Sequence, residues 1–239
     1  MHGTAIDPQN LILDNASGGS VDTHHPKPKR ATVFAGGLLL ASPSPLTNTT
    51  VVAADSGYDH ARRLGCDVEL LVGDLDSISE DGLAHARAEG VEIDCRPASK
   101  DATDLELALD AAIARGATSI DIYGGEGGAI DHLAGIAIGL TNRKWARIEM
   151  TWHTSKATVR PVLDGGHLHV AGEPGAVVSL VVVSDSSGVT TRGLRWPLTG
   201  EPLHRGTTRA LRNEIAAPPA SVSIDTGALL VFMESGVQP

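Results

Sequence analysis

The chain has 239 residues, of which 41% are hydrophobic and 20% are charged, which is the composition of an ordinary globular protein. Its formal net charge of -10 argues against nucleic acid as a partner, because an acidic surface repels phosphate backbones. No apolar run reaches the roughly 20 residues of a membrane helix, so we expect no membrane association.

The cysteine content is restricted to Cys66 and Cys95. Two residues form neither a disulfide framework nor a zinc-binding pattern. Reduced thiols are typical of the cytosol, so the sequence predicts a cytoplasmic protein.

Residues 31–153 alternate short apolar runs with helical patterns, after a predicted flexible N-terminal extension over residues 1–30. The clearest helix is predicted over residues 105–116, where apolar residues recur on one face and Gly116 follows as a C-cap. Strands that alternate with helices indicate an α/β domain with a mostly parallel sheet, which binds ligands at the carboxyl ends of its strands. The predicted strands are 31–36, 51–55, 68–72, 91–95, 119–124 and 146–150.

From residue 157 to residue 236 the helical periodicity disappears, and short β-rich runs separated by Gly and Pro take its place. This pattern predicts an all-β sandwich as a C-terminal domain. The runs that we expect to form strands are 157–162, 167–172, 176–183, 188–194, 207–211, 220–225 and 228–233.

Four acidic motifs follow predicted strands or open the clearest helix, namely Ala54–Gly57, Gly73–Ser77, Lys100–Asp104 and Gly124–His132. Strand ends on one edge of a parallel sheet would gather these carboxylates around one cleft, where they would repel one another unless a cation lay among them. Hard oxygen ligands suit Mg²⁺. Within the second motif the two aspartates are two residues apart, so on an extended segment both would face the same ion.

Phosphate groups have their own predicted contacts. The glycines of Gly124–His132 leave backbone N–H groups open to an anion, and the helix that begins near Thr103 offers the positive end of its dipole beside Lys100. Part of this pattern also has a purely structural interpretation. Thr103 with Glu106 forms a capping box, and a single histidine such as His132 is more often a packing residue than a catalytic base.

Together the four motifs resemble, in residues and in order, those of the thiamin pyrophosphokinases. The resemblance extends over about residues 31–234, and the combination of motifs is specific although no single motif is. It implies an α/β domain followed by a β-sandwich, with ATP and thiamin as substrates, thiamin diphosphate and AMP as products, and Mg²⁺ as the ion. It also implies a homodimer with the active site between subunits.

The resemblance also assigns residues. The catalytic acids are Asp74, Asp76, Asp101 and Asp104. Three of them, Asp74, Asp76 and Asp104, are the expected metal ligands. The expected ATP and phosphate contacts are Asp55, Ser77, Lys100, Thr103, Gly127, Gly128, Asp131 and His132.

In the second half, Gly193–Leu198 resembles the family segment whose aromatic residue packs against thiamin across the dimer. A thiazolium ring over the indole of Trp196 would gain about 1–2 kcal/mol as a cation–π contact, and the alternative for this side chain is a place in the core. The residues expected to bind thiamin are Trp196, Arg212, Asn213 and Glu214.

Three residues depart from the usual family pattern. Ser56 stands where a glycine is usual, and Ala129 stands where many members have an arginine that could assist phosphate binding. Arg212 replaces a small hydroxyl residue and would repel a thiazolium ion unless it points away or pairs with Glu214.

The alternatives to thiamin pyrophosphokinase fall into three classes. The first is a pyrophosphokinase for another hydroxymethyl heterocycle, such as a pterin. The second is a metal-dependent glycosyltransferase, which gives no reason for Lys100–Asp104 or for the β domain. The third is a thiamin- or nucleotide-binding relative without catalysis.

Overall fold

The first half of the chain forms a six-stranded parallel sheet with helices on both faces. We describe a computed structural model, which covers residues 29–43, 46–97 and 101–234. In this half the strands are β1 (Arg30–Phe34), β2 (Thr49–Ala54), β3 (Leu70–Gly73), β4 (Glu92–Cys95), β5 (Ser119–Tyr123) and β6 (Glu149–His153). The helices are α1 (Gly57–Arg63), α2 (Glu80–Ala88), α3 (Asp104–Ala114) and α4 (Ile130–Gly139).

The strand order in the parallel part is β4-β3-β2-β1-β5-β6. Strand β1 therefore lies in the middle, with later strands added first on one side of it and then on the other. A crevice outside the carboxyl ends of the strands at such a point is where open α/β sheets bind ligands.

Successive side chains of a strand point to opposite faces of the sheet, so they pack against the helices on one face or the other. Val33 of β1 packs with Leu109 of α3 in one cluster, whereas Phe34 packs with Ala61 of α1 in another on the opposite face. Helices α3 and α4 share the first of these clusters, through Leu109 and Ile136. The sheet therefore has α1 on one face and α3 with α4 on the other.

The second half consists of strands, beginning with β7, which pairs antiparallel with β6. Strand β9 is 16 residues long and pairs with both β13 and β12, so that it joins two groups of strands around a second apolar core. The parallel first half and the β-rich second half confirm the predicted fold class. The strands of this half are β7 (Ala157–Leu163), β8 (His167–Val170), β9 (Val177–Arg192), β10 (Glu201–Leu203), β11 (Asn213–Glu214), β12 (Ala220–Ser223) and β13 (Thr226–Glu234).

Three expectations for single elements were wrong. Strand β6 begins at Glu149 instead of residue 146, because a 3₁₀ turn over Arg143–Trp145 continues into hydrogen bonds from Ala146 and Ile148. The run 207–211 forms turns, and the two runs 176–183 and 188–194 lie largely within the single strand β9.

The predicted N-terminal extension lies outside the described residues as far as residue 28, and Arg30 already belongs to β1. None of the described helices combines the length and the apolarity that a bilayer crossing demands.

Candidate active site

Three carboxylates meet at the carboxyl edge of the parallel sheet. Asp55 follows β2, Asp74 follows β3, and Asp104 is the first residue of α3. One oxygen atom from each lies within 4.8 Å of the other two. Asp55 is buried, and Asp74 and Asp104 are half-buried. We call these three residues the carboxylate triad.

Asp55 has an unusual backbone conformation, and one of its two carboxylate oxygens has no hydrogen-bond partner among the described residues. Its φ of +49° is in the left-handed region, which is uncommon for a residue other than glycine. Its N–H donates to the carbonyl of Val72 at 2.9 Å, while the N–H and the hydroxyl of Ser77 both donate to its Oδ2. Its Oδ1 is buried and has no hydrogen-bond partner among the described residues. A buried orphan oxygen of this kind calls for an explanation such as an ion.

The segment from Asp74 to Ser77 is a bend and not the extended chain that we expected, because Leu75 has a φ of +65°. Asp76 consequently lies outside the carboxylate triad and is exposed. Its N–H donates to Oδ1 of Asp74 at 3.3 Å. The negative charge of Asp74 raises the pKa of Asp76 above its ordinary value, and loss of hydration and the other nearby carboxylates act in the same direction.

Helix α3 directs its N-terminus at the triad. The hydroxyl of Thr103 accepts a hydrogen bond from the N–H of Glu106 at 3.2 Å, so this side chain acts as the N-cap. Asp101 is exposed in the preceding loop. Lys100, which we predicted as a phosphate contact, lies outside the described residues.

The glycine-rich loop after β5 is fixed on two sides. Gly124 has a φ of +92°, and a Cβ there would lie 2.4 Å from the carbonyl oxygen of Ala35, so only glycine fits this close approach. Glu126, a buried residue that sequence reasoning missed, accepts hydrogen bonds from the N–H and the hydroxyl of Ser155, both at 2.8 Å. The sequence feature that could have identified Glu126 is its position as the one charged residue among four glycines. Gly127 and Gly128 follow in the same loop.

A cavity of about 710 Å³ runs from this edge of the sheet between α3 and α4. Its lining includes Asp55 and Asp104 of the triad, and Asp131 and His132 from the exposed first turn of α4. The structure thus brings most of the predicted phosphate contacts to one cavity. The predicted contacts in its lining are Asp55, Ser77, Thr103, Asp131 and His132.

Comparisons with known proteins agree with this arrangement. Residues 46–152 match the family model described as thiamin pyrophosphokinase, catalytic domain, and residues 167–229 match the model described as thiamin pyrophosphokinase, vitamin B1 binding domain. The chain belongs to the thiamin pyrophosphokinase family. A curated relative, thiamine pyrophosphokinase of Bacillus subtilis, is 27% identical over 161 residues, which are 67% of this chain and 75% of the relative.

Solved structures of the family have the same fold. The thiamine pyrophosphokinase from Bacillus subtilis superposes with a TM-score of 0.75 at 24% identity, covering 87% of this chain and 100% of its own. The thiamin pyrophosphokinase from Geobacillus thermodenitrificans gives a TM-score of 0.73 at 27% identity, covering 87% of this chain and 99% of its own.

In this thiamin pyrophosphokinase family chain, the segment that matches the vitamin B1 binding model contains Trp196, which is 54% exposed and so is not a core residue. Asn213 is buried, and its side chain bonds the backbone of Trp196 on both sides, donating to its carbonyl at 2.8 Å and accepting from its N–H at 3.1 Å. Asn213 therefore fixes the backbone from which the indole projects.

Two arginines accompany this site. The guanidinium of Arg195 lies 5.1 Å from the ring centre of Trp196 and pairs with Glu214 at 2.9 Å. Arg212 pairs with Glu234 at 2.8 Å instead of Glu214. The charge of Arg212 is therefore balanced by a carboxylate of β13, which removes the repulsion that its replacement of a small residue suggested.

Proposed function

We propose that this chain transfers the pyrophosphoryl group of ATP to the hydroxyl group of thiamin, giving thiamin diphosphate and AMP. The observation that carries the proposal is the carboxylate triad of Asp55, Asp74 and Asp104, whose oxygens lie within 4.8 Å of one another. Two of its members, Asp55 and Asp104, line the cavity. The family models support the two substrates, since one is a catalytic domain and the other a vitamin B1 binding domain.

The triad fits a divalent cation such as Mg²⁺. Three carboxylates this close repel one another unless a cation separates them, and the buried Oδ1 of Asp55 has no other described partner. Asp55, Asp74 and Asp104 would hold the ion, with Asp76 next to them. A bound Mg²⁺ would supply positive charge to offset the negative charge that develops on the phosphates during transfer.

The chain itself supplies binding and orientation. The N-terminus of α3 and the backbone N–H groups of the loop at Gly127 and Gly128 would attract phosphate oxygens, because both present positive partial charge. Ser77 acts on Asp55, since its hydroxyl and N–H keep Oδ2 occupied and leave Oδ1 for the ion. Most of the rate enhancement would come from this positioning and not from a covalent intermediate.

Thiamin would lie against Trp196. One face of the indole carries the guanidinium of Arg195, whose charge Glu214 balances, so the other face is left for the thiazolium ring. A cation–π contact there is worth about 1–2 kcal/mol when the site is dry.

We also propose that the active form is a homodimer, in which Trp196 of one protomer serves the cavity of its partner. Large apolar side chains on α4 support a partner surface, because Ile130 is 85% exposed and Ile138 is 56% exposed. A cytosolic location is a further proposal, based on Cys66 and Cys95 as free thiols.

The deciding experiment measures AMP release from Mg·ATP with and without thiamin, with the product identified by its mass. We expect thiamin-dependent AMP and thiamin diphosphate in equal amounts. AMP release with a pterin alcohol but not with thiamin would favour another heterocycle as the acceptor. Binding of ATP and thiamin without AMP release would contradict catalysis altogether.

A further inference from the structure

His60 is a buried histidine of α1, on the face of the sheet opposite α3 and α4. Only 7% of the residue is exposed, and both of its ring nitrogens have partners. Nε2 lies 2.7 Å from the carbonyl oxygen of Gly37, in the loop over residues 36–38 that we call the β1 loop. Nδ1 contacts the guanidinium of Arg63. The ring therefore forms a polar link between α1 and the β1 loop.

The two partners of His60 fix the position of its proton. A carbonyl oxygen only accepts hydrogen bonds, so Nε2 must donate to Gly37, and a guanidinium only donates, so Nδ1 must accept from Arg63. Burial lowers the pKa of His60, and the charge of Arg63 acts in the same direction, while the Gly37 hydrogen bond and the charge of Asp59 oppose them. His60 is thus a neutral imidazole that carries its proton on the nitrogen facing the β1 loop.

The β1 loop is bonded to the glycine-rich loop on its other side. The carbonyl of Gly36 accepts from the N–H of Gly125 at 2.7 Å, and the N–H of Leu38 donates to the carbonyl of Glu126 at 2.7 Å. The backbone also comes close there, since a Cβ on Gly37 would lie 2.8 Å from the carbonyl oxygen of Glu126. The carbonyl of Gly37, between these two bonds, is the one that α1 holds.

The β1 loop also contacts residues that support the carboxylate triad. A Cβ on Gly36 would lie 2.7 Å from the hydroxyl oxygen of Ser56, and the hydroxyl oxygens of Ser56 and Ser77 are 3.0 Å apart. Ser77 in turn donates to Oδ2 of Asp55. A displaced β1 loop would therefore disturb both the glycine-rich loop and the surroundings of Asp55.

We propose that His60 is a positioning residue for the phosphate end of the site, where its hydrogen bond to Gly37 holds the β1 loop between α1 and the glycine-rich loop. This inference rests on the proposed pyrophosphoryl transfer and adds a residue to it that acts through the β1 loop and not on the reacting groups. A histidine suits this place because α1 anchors the donor and Arg63 keeps the proton on the nitrogen that faces the loop.

Two substitutions of His60 test the proposal. In His60→Gln the side-chain amide can still donate to the carbonyl of Gly37, whereas in His60→Asn the amide is too short to reach it. We expect His60→Asn to raise the KM for Mg·ATP about fivefold, which corresponds to about 1 kcal/mol, and to leave the KM for thiamin unchanged. His60→Gln should restore a KM for Mg·ATP close to that of the unsubstituted protein. Steady-state kinetics with each substrate varied in turn, together with thermal unfolding, measures these effects.

The matched control is His85→Asn. Nδ1 of His85, in α2, lies 3.0 Å from the hydroxyl of Tyr58, so this variant also loses a histidine hydrogen bond, but one that does not involve the β1 loop. Its unfolding temperature should fall while both KM values stay the same. An unchanged KM for Mg·ATP in His60→Asn overturns the proposal, and so does a rise in His60→Gln as large as that in His60→Asn.

A separate outcome distinguishes this proposal from the proposed function. If the unsubstituted protein forms no thiamin diphosphate, the same variants are compared by calorimetry with Mg·ATP as the ligand. Weaker binding in His60→Asn and restored binding in His60→Gln would then mean that the proposed reaction fails and the role of His60 stands. Equal binding in all of them would overturn the role of His60 as well.

Discussion

Both carboxylate oxygens of Glu126 accept hydrogen bonds from Ser155, at 2.8 Å each, and so link the glycine-rich loop to the β6–β7 hairpin. The backbone carbonyl of Glu126 also accepts from the N–H of Leu38 at 2.7 Å, beside the loop that follows β1. Glu126 thus connects the glycine-rich loop, the loop that follows β1 and the turn between β6 and β7. We infer that Glu126 positions the loop.

Replacing Glu126 should therefore disturb nucleotide binding. In Glu126→Ala the two donors of Ser155 lose their acceptor, and hydrogen bonds to a charged group are worth about 1.5–3 kcal/mol each. We expect a lower unfolding temperature and a KM for ATP raised several-fold, with the KM for thiamin nearly unchanged. Steady-state kinetics with each substrate varied in turn measures this difference.

Two further variants separate positioning from a general loss of stability. Ser155→Ala removes one of the two donors and should give a smaller change of the same kind, and the double variant should be less than additive because the pair acts as a unit. A lower unfolding temperature with an unchanged KM for ATP would mean that Glu126 serves the fold alone.

The carboxylate triad predicts opposite effects on activity and on stability. Asp74→Asn and Asp104→Asn should each lower kcat by at least roughly 100-fold, since an ion at this site offsets several kcal/mol of developing charge. Without Mg²⁺ the same variants should unfold at a higher temperature than the unsubstituted protein, because one of three mutually repelling charges is gone. Thermal unfolding with and without Mg²⁺ measures both states.

Asp67→Asn is the control for the triad, since Asp67 is an exposed aspartate outside the site. It should retain both the activity and the stabilisation by Mg²⁺. Persistence of the Mg²⁺ effect in Asp74→Asn and in Asp104→Asn would show that the ion binds elsewhere.

Sequence patterns predicted the elements better than they predicted the site. Helix α3 begins at Asp104, one residue before the start that its apolar periodicity predicted. The prediction was close because the apolar pattern and the Thr103 cap both place the start of the helix within the same few residues. The triad was harder to predict, since it depends on φ angles. Left-handed conformations at Asp55 and Leu75 decide that Asp55 joins Asp74 and that Asp76 faces solvent. No spacing rule contains that information.

Substitutions of Trp196 and of Asn213 should weaken thiamin binding in the same way. Trp196→Ala should raise the KM for thiamin about tenfold through loss of a cation–π contact, and Trp196→Phe should raise it less. Asn213→Ala should produce a similar increase, because it frees the Trp196 backbone at two hydrogen bonds. The KM for ATP should stay the same in all three. Arg212→Ser, which breaks only the pair with Glu234, is the control and should leave the KM for thiamin unchanged.

The lowered pKa of Asp121 should make the stability of the folded protein depend on pH. A hydrogen bond from His153 at 2.8 Å is the main cause that lowers the pKa of Asp121, and Arg30 adds to it. A carboxyl whose pKa is lower in the folded state stabilises the fold above its unfolded pKa of about 3.9, and loses that contribution as the pH falls through the folded pKa. His153 also stacks on Tyr123 with a ring distance of 4.5 Å, which keeps the donor in place.

We therefore expect Asp121→Asn to lower the free energy of unfolding by about 1 kcal/mol or more near pH 7, since a charged hydrogen bond is lost from a largely buried carboxylate. Below the folded pKa the two proteins should become nearly equal, because the unsubstituted Asp121 is then neutral too. Denaturant unfolding from pH 7 down to acid measures the difference. Arg30→Ala should have a smaller effect, since its side chain is 58% exposed and water screens the pair. A deficit for Asp121→Asn that stays constant across this range would contradict an ionic origin.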